Sequence, residues 1–156
     1  MVSDKRGIRQ QPWSPVFRVI PAADHSRFDQ RSRSALLETL WTMQTDSNRM
    51  GLRLRGEKLT LATPSTRQLS VGVLPGVIQV PPDGQPVILA VDAQTTGGYP
   101  TIASIICADL WQLAYMTPGT TIQFEEVSLA EAHGLSSHQR LQLQRLSDSI
   151  NNEITR

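Results

Sequence analysis

Apolar and polar residues alternate in short bursts along most of this chain, and the bursts end at glycine or proline. Val16-Phe17-Arg18-Val19-Ile20-Pro21 alternates at its centre and stops at a proline, which predicts a strand. Trp41–Thr45, Leu52-Arg53-Leu54 and Lys58–Ala62 are shorter runs of the same kind. Val77–Val80 and Val87–Val91 are the clearest strands, joined through the turn residues Pro82-Asp83-Gly84. Ile102–Cys107 is an unbroken apolar run that predicts a buried strand, and Thr121–Val127 alternates cleanly enough for a strand with one wet face.

Helical spacing is confined to a few segments. Apolar positions between Phe28 and Trp41 predict a short helix with Ala35, Leu36 and Leu40 toward the core. Asp109–Met116 predicts another, ending before Pro118-Gly119. Ser128 caps a short helix over Leu129–His133 that Gly134 is expected to interrupt. Ser136 with Gln139 then reads as a capping box for a last helix, packing through Leu143, Leu146 and Ile150 and extending to Ile154. Many short strands with Gly/Pro turns and peripheral helices predict a mainly β barrel or sandwich. Residues 1–14 read as a polar lead-in, 15–134 as the domain and 135–156 as a C-terminal helix.

Composition narrows the function classes. The chain has 156 residues, 39% hydrophobic and 19% charged, with a net charge of +1. No apolar run approaches the roughly 20 residues that cross a bilayer, and the N-terminus lacks the apolar stretch of a signal peptide, so a cytoplasmic location away from membranes is expected. The charge is uneven: residues 1–67 carry a net +6 and residues 68–156 a net −5. The arginines are scattered without interleaved aromatics, which argues against nucleic acid and for a basic rim facing an anionic substrate or a partner subunit. Cys107, the single cysteine, falls in an apolar run and is read as a buried, inert thiol.

No Walker-type glycine loop, Gly-x-Ser-x-Gly elbow or metal-spaced Cys/His set is present. His25, His133 and His138 read as surface histidines, and no catalytic nucleophile–base pair can be named. Residues 72–100 hold five glycines and five prolines around two apolar runs, which encodes loops of defined shape. Within it, Asp92-Ala93-Gln94 leads into Thr95-Thr96-Gly97-Gly98-Tyr99-Pro100, which offers two hydroxyls and consecutive backbone N–H groups that can hold a carboxylate, a phosphate or a carbonyl oxygen; a tight structural turn between Val91 and Ile102 is the alternative. Gln79 is an amide inside an apolar strand, placed either to recognise a substrate amide or to pin the Pro-rich loop. Asp92 either caps the Thr95-Thr96 turn or orients a nucleophile. Arg49 and Arg55 either clamp a carboxylate or line an ordinary surface, and Asn48 supports the turn at Met50-Gly51.

Together with Ser47-Asn48-Arg49-Met50-Gly51-Leu52-Arg53-Leu54-Arg55-Gly56, the motifs Gly72–Pro86 and Asp92–Pro100 resemble the C-terminal half of the biotin-dependent carboxyltransferase-like proteins. That family includes the second subunit of allophanate hydrolase, the C subunit of 5-oxoprolinase and the carboxyltransferase part of urea carboxylase. The resemblance covers roughly Pro15 to His133 and implies a cyclophilin-like β-barrel. It implies a hydrolase component of an ATP-dependent complex opening 5-oxoproline to glutamate, with a B-subunit-like partner and the family's N-terminal half. Two further readings follow from it: carboxyl transfer from carboxybiotin to a urea-like amide, and non-enzymatic regulation of a kinase inhibitor. ATP would act in the complex, and biotin would have to come from another chain, because no biotin-accepting Met-Lys tetrad occurs here. The family pattern has an acidic residue where this chain has Val71, and its N-terminal Gln-Asp-Gly-Arg stretch is not found. The chain alone is therefore expected to be folded and catalytically silent.

Overall fold

In the computed structural model, residues 15–63 and 69–154 are described, without the side chains of 152–154; the expected lead-in over 1–14 lies outside them. Nine strands form among the described residues: β1 Val16–Pro21, β2 Trp41–Met43, β3 Gly51–Arg55, β4 Val71–Gly72, β5 Val77–Gln79, β6 Val87–Leu89, β7 Thr96–Gly97, β8 Thr101–Ile105 and β9 Thr121–Glu126. Seven of them close into a barrel in the order β1-β8-β5-β6-β3-β2-β9, with β1 and β9 pairing in parallel to seal it. Period-2 alternation fills the interior. Phe17, Val19, Leu52, Leu54, Ile78, Ile88, Ile122 and Phe124 are all buried in one core, while Arg53 and Arg55 on β3 point out.

Helix α1, Gln30–Glu38, packs beside β9. Asp29 caps it by accepting from Ser32 N at 2.6 Å, and its other oxygen takes the Thr60 hydroxyl at 2.8 Å. Both bonds favour the ionised acid and hold the Asp29 carboxyl below its ordinary value. Helix spacing expects Leu40 inside, but Leu40 is 63% exposed. The helix stops at Glu38 and Thr39 is already extended, so position 40 no longer follows the 3.6-residue period. Lys58–Ala62 forms no strand, only an isolated bridge from Leu61 to Phe28.

The apolar run 102–107 is shorter as a strand than its composition suggests. At Cys107 the chain enters a nine-residue 3-10 segment, Cys107–Tyr115, and the Cys107 side chain is exposed rather than buried. Asp109 holds this segment to the barrel. Its buried carboxylate accepts from Arg18 N at 2.9 Å and Arg18 Nε at 2.9 Å, with Arg18 Nη2 on the other oxygen. Donating side-chain hydrogen bonds to Asp109 raises the Arg18 pKa still further above its ordinary value.

Helix α2 runs from Leu129 to Ile154 without the break expected at Gly134. The capping box lies earlier than the one expected at Ser136: Ser128 N donates to Glu131 Oε2 at 2.8 Å, and Glu131 N to Ser128 Oγ at 3.2 Å. Ser136 lies inside the helix, its hydroxyl donating to Ala132 O. Only the first turns dock, through Ala132 and Leu135 against Ile106 and Ala108. Leu143 and Ile150, expected to pack, are 61% and 42% exposed.

Candidate functional site

β6 and β8 both lie antiparallel to β5, one on each side, so they run parallel to each other. The chain must therefore return across β5 between them, and residues 90–100 are that crossover. Its β7 pairs with β4, Val71 opposite Gly97 and Gly72 opposite Thr96, and Val73 N donates to Thr95 O at 2.9 Å. The ribbon covers the outer face of β5. Ile78 and Val80 point into the core, so Gln79 points outward, yet it is buried because Gly97 lies over it. Gln79 Nε2 faces Tyr99 O at 3.5 Å.

The crossover sorts the expected residues into two groups. Gln79, Gly97 and Tyr99 meet at one place, with Ser70 Oγ next to Gly98. Thr95, Thr96, Gly98 and Gln94 stand at the surface, and Tyr99 is about half exposed. The second group is Asn48, Arg49 and Asp92. Arg49 Nε bonds Asp92 Oδ2 at 2.8 Å, and Asp92 N donates to Arg49 O at 3.0 Å. Asn48 Oδ1 accepts from Met50 N at 2.8 Å, so its amide shapes the turn as expected. Arg55 stands apart at the far end of β3, opposite Thr42. The two arginines thus form no single clamp.

Sequence reasoning missed a cleft of about 530 Å³ where β4 faces the end of β1. Val71, Val77 and Ala22 give it apolar walls, and Asp24, Arg27 and Thr101 give it a polar edge. Asp24 Oδ2 accepts from Thr101 N at 3.0 Å and Thr101 Oγ1 at 3.2 Å, while Oδ1 accepts from Arg27 Nη1 at 2.6 Å. The sequence signal was faint: Asp24 and Arg27 sit three apart after a strand end, but nothing in spacing ties them to a threonine 77 positions later. Among the described residues no group of His, Cys, Asp and Glu is arranged to hold a metal ion.

Residues 2–126 match the family model for the carboxyltransferase domain, subdomain A and B. The chain belongs to this family. It is 41% identical over 150 residues to the C subunit of 5-oxoprolinase from Escherichia coli (strain K12), covering 96% of this chain and 48% of that protein. The corresponding C subunit of 5-oxoprolinase from Haemophilus influenzae is 43% identical over 148 residues, covering 93% and 48%. The chain spans about half the length of these curated relatives. Among solved structures, the K. lactis urea amidolyase superposes with a TM-score of 0.78 at 26% identity, over 83% of this chain and 8% of that one. The closed seven-stranded barrel of this carboxyltransferase-family chain is therefore cyclophilin-like, as the sequence motifs implied.

Proposed function

We propose that the chain is a component of a 5-oxoprolinase-type complex and supplies one wall of the site where a cyclic amide is opened by water. The observation that carries this reading is identity of 41% and 43% to the C subunits of two 5-oxoprolinases over nearly the whole chain. Against the urea amidolyase of Lachancea kluyveri it is 31% over 78% of the chain. The geometry supports a wall rather than a complete site. Thr95, Thr96 and Gly98 are presented at the surface by a crossover that Gln79 holds from beneath, which suits donors to a developing oxyanion.

The starts of the two helices offer no free phosphate site, since Asp29 occupies the start of α1 and Glu131 the start of α2. In this reading phosphoryl chemistry belongs to another chain, such as a B-subunit-like partner or the family's other half. Carboxyl transfer to a urea-like amide is the second reading, favoured by the structural likeness to urea amidolyase.

Co-purify the chain with the remaining subunits of such a system, then measure glutamate released from 5-oxoproline with ATP. Turnover is expected in the complex and not from the chain alone, and Thr96→Val is expected to lower it. A complex that carboxylates urea and leaves 5-oxoproline untouched would replace the first reading with the second.

A further inference from the structure

The cleft beside β4 is unassigned by any of the motifs, and its polar edge is built rather than incidental. Thr101 is 5% exposed, and both its N–H and its hydroxyl are given to Asp24 Oδ2. Asp24 is thereby fixed to the barrel end, and its second oxygen fixes Arg27 through a 2.6 Å bond from Nη1. The backbone of Arg27 is held as well: its N–H donates to Asp24 O and its carbonyl accepts from Ala62 N, both at 2.9 Å. The result is a guanidinium positioned before any ligand arrives, with one of its five N–H donors given to Asp24. Its side chain is 40% exposed, and it stands at the edge of a cleft whose walls are Val71, Val77 and Ala22.

We propose that this cleft binds a small organic carboxylate with a compact aliphatic body, and that Arg27 anchors the carboxylate. A carboxylate takes two N–H groups of a guanidinium in parallel, and the aliphatic body replaces water against the valines. The cleft volume of about 530 Å³ lies within the range of small-molecule sites. Asp24 balances the charge of Arg27, so affinity is modest, on the order of millimolar. The inference rests on the reading above and takes its choice of ligand body from it. It also has a consequence for specificity: neutral amides such as urea lack the group that Arg27 holds.

The test uses the full chain, labelled with nitrogen-15 and titrated with 5-oxoproline, cyclopentanecarboxylate and the neutral lactam 2-pyrrolidinone. Both carboxylates should shift the amides of Val71, Val77 and Thr101 saturably, and 2-pyrrolidinone should bind at least tenfold more weakly. Arg27→Gln should weaken both carboxylates at least tenfold. Val71→Phe, which fills space from an exposed strand position on the cleft wall, should weaken them too while leaving the fold intact. Equal binding of the neutral lactam, binding indifferent to Arg27→Gln, or absence of saturable shifts at these amides would overturn the proposal. A complex that turns over 5-oxoproline with the same KM in Arg27→Gln sinks the cleft and leaves the enzymatic reading standing. Carboxylate binding here, together with a complex inert toward 5-oxoproline, does the reverse.

Discussion

Gly97 lies so close over the side-chain amide of Gln79 that a β-carbon at position 97 would collide with Gln79 Nε2. The backbone angles would admit an alanine, since the φ is not positive, but the buried Gln79 amide would have to give way and lose its bond to Tyr99 O. Gly97→Ala should therefore destabilise by about 1–3 kcal/mol as an overpacked site. Gln79→Ala removes the obstacle, so the double variant should recover part of that loss, with a coupling of at least about 0.5 kcal/mol in urea denaturation. Strictly additive effects would mean that the crossover is not held by this contact.

The Arg18–Asp109 pair ties the 3-10 segment to β1, and Asp109 is almost wholly buried. Asp109→Ala leaves the Arg18 guanidinium and its backbone N–H without their acceptor, and should cost about 3–5 kcal/mol. The Arg31–Glu57 pair, where Arg31 is 85% exposed, is the control: Arg31→Ala should change stability by less than about 1 kcal/mol. Thermal or chemical denaturation at matched salt separates the two.

Strands were readable wherever one face is buried. Alternation in Val16–Pro21, Leu52–Leu54 and Thr121–Val127 corresponds to β1, β3 and β9, because period 2 and burial of one face are the same fact. Lys58–Ala62 alternates without a neighbour to pair along its length, so pattern alone overstated it. The candidate loop motif was legible as a shaped segment, but its partition was not. Arg49 and Asp92 pair across 43 positions and Asp24 meets Thr101 across 77, and neither contact leaves a local trace. Cys107 departs from its expected burial for a related reason: an apolar run says that its neighbours are buried, but not where the strand gives way to a 3-10 turn.

The two helix starts should carry part of the chain's loss of stability in acid. Backbone and side-chain hydrogen bonds from Ser32 and Thr60 lower the Asp29 pKa, and the Ser128 hydroxyl followed by its N–H lowers that of Glu131. A carboxyl with a depressed folded pKa contributes stability that is fully present above its unfolded value and is lost as pH falls through the folded one. The melting temperature should thus fall progressively below about pH 4.5. Asp29→Asn and Glu131→Gln should melt lower than the parent at pH 7 and lose less on acidification. Parallel Tm-versus-pH curves for parent and variants would show that these carboxyls do not carry the acid response.

One continuous face of helix α2 serves two different environments. At 100° per residue, Ala132, Ser136, Gln139, Leu143, Leu146 and Ile150 fall on the same side. The first three lie over the domain: Ala132 is buried against Ile106 and Ala108, and Gln139 Nε2 reaches Ala108 O at 3.3 Å. From Ala132 to Ile150 the axis rises about 27 Å, and the domain ends beneath it before the stripe does. Burial decides the energetic outcome, not position on the helical wheel. Ala132→Glu should cost several kcal/mol by placing a charge in an apolar contact, whereas Leu143→Glu and Ile150→Glu should change stability by less than about 0.5 kcal/mol. Urea midpoints of the three variants measure this directly. A large loss in Leu143→Glu would mean that the outer half of α2 folds back onto the barrel in solution.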